Sequence, residues 1–365
     1  MTTAAPVRPL TVVSAGVVSS AGYGLAPLAA LLSGEAEPGA GAGPDAEDYP
    51  PRPVRPVPDF KLADHLGRKG IKYLDRLTGL SLVACKQALE SAGPDGAGEE
   101  PARTGVVLAT NTGSIAGYTD LLYDTLTLDK PQLINPGKFS HSVMNVSAGQ
   151  MAIRHGFKGL NATVAGGRSA SLYAFRHARM AMSVGHADRL LVGGSEELSA
   201  PTAWAWHHAG TLDERASVGE GSAIFVVTSD PTAEEQGTAL ADLLACEVGY
   251  NTRGLTNGLA SAITRVLERS GVRAEDVDVV SLGATHHVGL ERLEERAVRL
   301  ALGHLPQQVR VGEVLGETYS ASGAMQLAGL LAHWRNEPAD RPRIGLVTSV
   351  GHDGNAGALI VRSRV

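Results

Sequence analysis

The chain has 365 residues, 43% of them hydrophobic, enough to bury a substantial core as one large domain or two fused halves. Lys and Arg number 32 against 38 Asp and Glu, a formal charge of −6 with no basic run, which argues against a nucleic-acid partner. The two cysteines, Cys85 and Cys246, sit in apolar stretches and read as buried free thiols of a reducing, cytoplasmic compartment, and Leu10 to Val18 is too short and too broken by Gly and Ser to span a membrane.

In chain order, Val12 to Val18 is a β-rich run and Leu25 to Leu32 a short helix. Gly34 to Pro58 is rich in Gly, Pro and Asp, and its Pro50 to Pro58 end has the composition of an extended, polyproline-like surface excursion. Tyr73 to Ala92 carries Leu74, Leu77, Leu80, Ala84, Cys85 and Ala88 on one helical side. A strand over Gly105 to Ala109 leads through Asn111-Thr-Gly113-Ser114 into a helix, Ile115 to Leu126, with Tyr118, Leu121, Leu122 and Leu126 as its apolar set. Asn161 to Val164 is a strand and Ser169 to Val184 a helix; Arg189 to Val192 and Ile224 to Val227 are further strands. A Pro/Glu/Gly-rich linker over Asp230 to Gly237 then divides the chain into two parts, 1–232 and 233–365. The second part repeats the order: strands over Leu240 to Val248, Val277 to Leu282, Ile344 to Ser349 and Ala358 to Arg362, and helices over Leu255 to Ser270, Glu291 to Leu302 and Ala321 to Trp334. Strands alternating with helices in both parts predict an α/β fold with mostly parallel sheets.

The segment Asn161-Ala-Thr-Val-Ala-Gly-Gly-Arg168-Ser-Ala-Ser-Leu172 reads as strand, tight glycine turn and helix. Such an elbow holds a side chain at the positive end of a helix dipole, where a thiolate or oxyanion is stabilised. Arg168 has the wrong sign for that position and cannot deprotonate into a nucleophile. Other candidates weaken on inspection. His207 and His208 are adjacent, without a further ligand at metal spacing. Ser169 and Ser171 lack a recognisable base. Gly219-Glu-Gly221 lacks the lysine and spacing of a phosphate loop. The residues call for neither a metal nor a cofactor.

The elbow, followed without a gap by Gly185-His-Ala-Asp188 and Leu191-Val-Gly193-Gly-Ser-Glu196, resembles the β-ketoacyl synthase family of the thiolase fold, in which the elbow reads roughly T-A-C-A-S-G-L and the cysteine carries the acyl chain. Further likenesses span the chain: Val13-Ser-Ala-Gly-Val-Val-Ser-Ser-Ala-Gly22, Leu74-Asp-Arg76 onward, Gly219-Glu-Gly-Ser-Ala223 and Gly351-His-Asp-Gly354. The resemblance implies a five-layer αβαβα arrangement built from two similar halves. It places Arg168 on the cysteine, Glu317 of Gly316-Glu-Thr-Tyr-Ser320 on one catalytic histidine, and Gly312 on the usual lysine. The second histidine falls in Gly283-Ala-Thr-His-His-Val-Gly289, where the register leaves Thr285, His286 and His287 as alternatives.

Joint loss of the thiol, the lysine and one histidine makes the chain similar to the chain-length factor, the non-catalytic partner of the ketosynthase in type II polyketide synthases. The resemblance then implies an active ketosynthase as heterodimer partner, an acyl carrier protein, and no catalytic residue, with Arg168, Glu317, Thr285, His286 and His287 as vestigial positions. It implies a dimer seam near Met144, Asn145, Val146 and Gln150. It also implies a tunnel set of Gly113, Ile115, Ala116, Gly117, Tyr118, Leu121 and Leu122 that limits the growing chain, here a reduced or polyene one. Two rivals stay open: a stand-alone acyltransferase or malonyl decarboxylase using Ser169, His286 or His287, and a non-catalytic scaffold that binds the carrier protein. A buried Arg168 needs an acceptor, and Glu317, which converges on the same family site, is the expected one.

Overall fold

The computed structural model describes residues 9–39, 48–93, 96, 100–139, 142–229, 239–251, 254–337 and 339–364. The expected boundary over Asp230 to Gly237, which separates 1–232 from 233–365, lies outside the described residues.

Five strands on the continuous path of the large sheet come from the first part: β1 (Leu10–Ser19), β2 (Thr104–Ala109), β3 (Asn161–Val164), β4 (Arg189–Glu196) and β5 (Gly221–Thr228), with the two-residue strand Gly22–Tyr23 pairing β1 off that path and Val54–Arg55 pairing Val218–Gly219 separately. Five come from the second: β6 (Ala241–Tyr250), β7 (Val279–Ser281), β8 (Gln307–Val309), β9 (Ile344–Val350) and β10 (Asn355–Ser363). Their hydrogen-bonded order is β3-β2-β4-β5-β1 in one set and β8-β7-β9-β10-β6 in the other, the same order twice. The sets touch where β1 pairs β6 over Leu10↔Leu243, Thr11↔Asp242 and Val12↔Ala241. The sheets are less parallel than the alternation of elements suggests. β2 pairs β3 and β4 in parallel, but β5 is antiparallel to both β4 and β1. The second set repeats this pattern, and there the short Gly351–Gly354 turn forces β10 back against β9.

Successive strand residues face opposite layers. Val107, Val192, Phe225 and Val227 enter a central core, while Val106, Leu191, Ile224 and Val226 enter an outer one. The central layer holds α5 (Ala170–Ser183) and α9 (Ser322–Asn336), and α9 is buried on nearly every side. Helices α2 (Arg76–Ser91) and α4 (Val146–His155) cover the first set of strands on its outer face, and α7 (Leu255–Ser270) and α8 (Glu291–Leu302) cover the second. The result is the five-layer αβαβα arrangement from two similar halves.

Local chemistry explains the boundaries. Asp75 caps α2 by accepting the Thr78 N–H at 2.7 Å, and Gly271, left-handed at φ 71°, ends α7. Helix α1 (Leu25–Leu32) packs beside α9, where Asn336 donates to the Ala29 carbonyl at 3.2 Å. The proline-rich excursion is anchored more firmly than its composition suggests: Val57 is buried, its N–H donates to Glu220 at 2.8 Å, and Arg52 donates to the Asp213 and Ala216 carbonyls. Glu220 also accepts from Leu198 N–H and Arg76, so the Gly219-Glu-Gly221 entry is a structural hub. Among the described residues no helix is long and apolar enough to cross a membrane.

A Cβ on Gly16 would fall on the Ala84 carbonyl, which is how α2 comes so close to β1. Gly16→Ala should therefore lower unfolding free energy by about 1–3 kcal/mol, read from the denaturant midpoint, because neither backbone can yield without opening the layer.

Candidate functional site

The site is built at the carboxyl ends of strands from both halves, the place where α/β sheets leave a crevice. β3 ends at Val164, Gly167 turns the chain at φ 56°, and a short 3₁₀ turn over Gly167–Ser169 runs into α5. Side-chain space is absent at Gly167, where a Cβ would press on the Asp353 carboxylate. Asn111, just past β2, accepts the Gly166 and Gly167 N–H groups at 3.2 and 2.9 Å and so occupies the turn's donors.

Arg168 is 4% exposed and fully bonded. Its Nε lies 3.3 Å from both Glu317 oxygens, its Nη2 donates to Glu317 Oε2 at 2.9 Å and to the Gly283 carbonyl, and its Nη1 donates to the Val350 carbonyl at 2.9 Å. The expected Arg168–Glu317 pair is thus present. Glu317 also accepts the Tyr319 N–H and His287 Nε2, each at 2.7 Å. Burial alone would raise the Glu317 carboxyl, but Arg168 and His287 outweigh it and hold the group down to about 2. Burial, and then the nearby Arg168 charge, push His287 below its ordinary value, so it is neutral at pH 7 and its Nε2–H donates to the carboxylate.

The structure separates the three histidine-region candidates. His287 reaches the site. His286, left-handed at φ 61°, sits instead 3.4 Å from Asp213, and Thr285 is buried under Gly312. Ser169 Oγ meets Ser349 Oγ at 3.0 Å and Ser171 Oγ donates to the Ser320 carbonyl, so neither serine has a base. The His207 and His208 rings pack on Trp204, and no metal-ligating cluster occurs among the described residues. Cys85 and Cys246 are buried free thiols away from the site, Cys246 pushed up to about 12 by burial.

A cavity of about 420 Å³ stands on this floor, with Ile115, Trp206 and Tyr319 in its walls and the exposed Ala205, Ala209, His352 and Asp353 at its rim. The Trp206 ring stands edge-on to His287 and Tyr319. Trp206 belongs to α6 (Ala200–Ala209), a helix that sequence periodicity missed although Ser199, Pro201 and Gly210 mark its ends. Two acidic neighbours, Glu196 at the end of β4 and Glu197 just past it, also escape sequence reasoning. Glu196 accepts Asn111 N–H at 3.1 Å and the Ser320 hydroxyl; Glu197 accepts Ala116 N–H at 2.9 Å and the Ser114 hydroxyl. Burial pushes each up to about 7.

The helix α3 (Ile115–Thr127) buries none of its residues. Its apolar set faces outward: Tyr118 is 45% exposed, Leu122 41%, Tyr123 67% and Leu126 81%, with Leu121 half-buried. Ile115 alone of the expected tunnel set lines the cavity, Ala116 and Gly117 are half-buried in the first turn, and Gly113 is held at φ 67° against Met144. At the expected seam Asn145 is exposed, Met144, Val146 and Gln150 are half-buried, and Ile153 is 76% exposed. β3 ends the sheet beside them.

Two measurements check this electrostatic picture. Glu317→Gln leaves a buried guanidinium short of its counter-charge and should cost about 3–5 kcal/mol, whereas the double variant Arg168→Met, Glu317→Leu should be neutral or gain about 1–4 kcal/mol in denaturant unfolding. For pH, the depressed Glu317 contributes stability above its ordinary 4.5 that is lost as pH falls toward about 2. The raised Glu196 contributes stability below 4.5 that is lost as pH rises toward about 7. The thermal midpoint should therefore rise from about pH 8 to about pH 5 and fall in stronger acid, and Glu196→Gln should reduce the first limb without abolishing it, because Glu197 is raised to about 7 as well, and should leave the acid limb unchanged.

Comparison with known proteins agrees with this geometry. The family model "Beta-ketoacyl synthase, N-terminal domain" matches residues 59–241. The actinorhodin polyketide putative beta-ketoacyl synthase 2 of Streptomyces coelicolor is 29% identical over 363 residues, covering 92% of this chain and 87% of that protein. The tetracenomycin polyketide synthase ketoacyl synthase beta subunit of Streptomyces glaucescens is 27% identical, covering 90% and 86%. Among solved structures, the ishigamide ketosynthase/chain length factor superposes with a TM-score of 0.85 at 33% identity, covering 98% of this chain and 100% of that one. A beta-ketoacyl synthase from Burkholderia phymatum STM815, at 19% identity and TM-score 0.83, shares the fold, with 98% and 100% covered.

Proposed function

The chain belongs to the β-ketoacyl synthase family, where it is most like the beta, or chain-length-factor, subunits of type II polyketide synthases, and from that premise we propose that it is a catalytically silent subunit. In this role it pairs with an active ketosynthase, works with an acyl carrier protein, and shapes the tunnel that receives the growing polyketide chain. Its halves, 1–232 and 233–365, supply the scaffold.

The Arg168–Glu317 pair carries this reading. A ketosynthase needs a nucleophile on the elbow and donors that stabilise the carbanion formed as a malonyl unit loses carbon dioxide. Arg168 offers no nucleophilic lone pair, and an anionic Glu317 repels a developing enolate. Neutral His287 already spends its Nε2–H on that carboxylate. The outward apolar residues of α3 support the pairing half of the proposal, since contiguous exposed apolar surface marks protein contacts. So does the open edge of β3 beside α4, because an uncovered edge strand invites another chain.

Incubated alone with malonyl-loaded carrier protein, the chain should show no acyl adduct by mass spectrometry. Arg168→Cys should remain inactive because Glu317 persists, and an adduct on the wild-type chain would sink the silent-subunit reading. Co-produced with its ketosynthase it should elute as a 1:1 pair, and separate elution at micromolar concentration counts against the partner. In that pair, Ala116→Phe or Gly117→Phe should shorten the product and Tyr118→Ala or Leu121→Ala should lengthen or blur it, measured as product mass. Unchanged product with both bulky residues would remove α3 as the ruler.

A further inference from the structure

We propose that Glu197 is a positioning residue that sets the seat of α3 and through it the fidelity of product length, an inference that rests on α3 being the ruler. The starting point is how weakly α3 is held by packing. None of its residues is buried and only Ile115, Ala116, Gly117 and Leu121 of its apolar side are half-buried, so packing alone fixes its rotation and height weakly. Polar anchors at its two ends do that work instead. At the C-terminal end Lys138 meets Asp124 at 2.6 Å, a partly exposed pair open to water. At the N-terminal end the anchor is inside the protein: Glu197 is 2% exposed.

The Glu197 carboxylate joins two helices. Its Oε1 accepts Ala116 N–H at 2.9 Å in the first turn of α3, and the Ser114 hydroxyl lies 3.2 and 3.1 Å from its two oxygens. Its Oε2 accepts Leu77 N–H at 3.2 Å in the first turn of α2. Helix α2 is packed into the outer core, so this bridge transfers the rigidity of a buried helix to an exposed one. Ser114 completes the arrangement by capping α3, its Oγ accepting Gly117 N–H at 3.1 Å. A carboxylate suits the place, since both helices present unsatisfied N–H groups there.

The same side chain is a partition. It lines the inner cavity, and it also lines an outer cleft of about 360 Å³ between the Lys72–Arg76 segment and the first turn of α3. Removing it frees the helix and opens one space toward the other, and either effect changes the depth that α3 defines.

The test uses the chain co-produced with its ketosynthase partner. Wild type, Glu197→Gln, Glu197→Ala and Ala116→Phe are compared by pair size, by deuterium uptake over α3 and by product mass. The expected result is a 1:1 pair throughout, with exchange in the first turn of α3 about tenfold faster in Glu197→Ala and product spread over neighbouring lengths. Glu197→Gln, which keeps the shape and one acceptor, should show a smaller change in both. If Glu197→Ala fails to fold, the Gln variant decides: exchange and product spread above wild type support the inference, and wild-type values overturn it. Wild-type exchange or wild-type product spread in Glu197→Ala, while Ala116→Phe shortens the product, overturns the role of Glu197 and leaves the ruler standing. Unchanged product in Ala116→Phe removes the ruler, and the inference with it.

Discussion

The ion pair between Arg168 and Glu317 is the contact on which the interior depends, because the two halves meet there through equivalent parts. Each half leads into its central helix through a short 3₁₀ turn, Gly167–Ser169 ahead of α5 and Tyr319–Ala321 ahead of α9. The turns touch: Ser171 donates to the Ser320 carbonyl at 2.5 Å. Two positive helix ends thus come together, a setting that favours an anion and penalises a lone cation by up to about 1 kcal/mol per helix. Burying a charge costs several kcal/mol more. Arg168 is tolerated because Glu317, Gly283 and Val350, all from the second half, close around it. Against apolar residues of the same size such a pair adds little stability. What it supplies is direction, since a forked guanidinium accepts one arrangement of carboxylate and carbonyls.

Much of this was legible in the sequence. The layers follow from β-rich runs such as Val12 to Val18 alternating with helical segments along the chain. The elbow was legible because Gly166 and Gly167 precede a helical run, and Arg168 stood out by its sign. The partner Glu317 was reachable only through family register, since 149 residues separate it from Arg168. The histidine register was not legible at all. His286 takes a left-handed backbone, and that reversal carries His287 to the site; a positive φ at a non-glycine residue leaves no mark in composition. Glu196 and Glu197 lie beyond the Arg189 to Val192 run that reads as a strand, and only the fold shows which backbone and hydroxyl groups close over them.

Helix α3 shows a different limit. Its apolar residues recur at helical spacing, and in one chain such spacing reads as a face turned to the core. Here the face turns outward, and the burial it implies must come from elsewhere. Periodicity reports that a face is apolar, not which molecule covers it. On the proposed role, the partner supplies the cover.

On that proposed role, a chain with Arg168 in place of a nucleophile still needs the architecture of the site. β3 leads into the turn that holds Arg168, and its edge, the end of the sheet, is the one the proposed pairing uses. Asn111 fixes the same turn and leads toward the first turn of α3, while Ile115 there lines the cavity. A loose elbow would move the sheet edge, and a collapsed cavity would let α6 and the start of α3 sink inward. Beside the Ser169–Ser349 and Ser171–Ser320 contacts, Arg168 ties Glu317, Gly283 and Val350 to the turn. The side chain that stands where a nucleophile is expected thus joins the two halves at the turn, and on the proposed role it holds in register the two surfaces used for pairing and chain length.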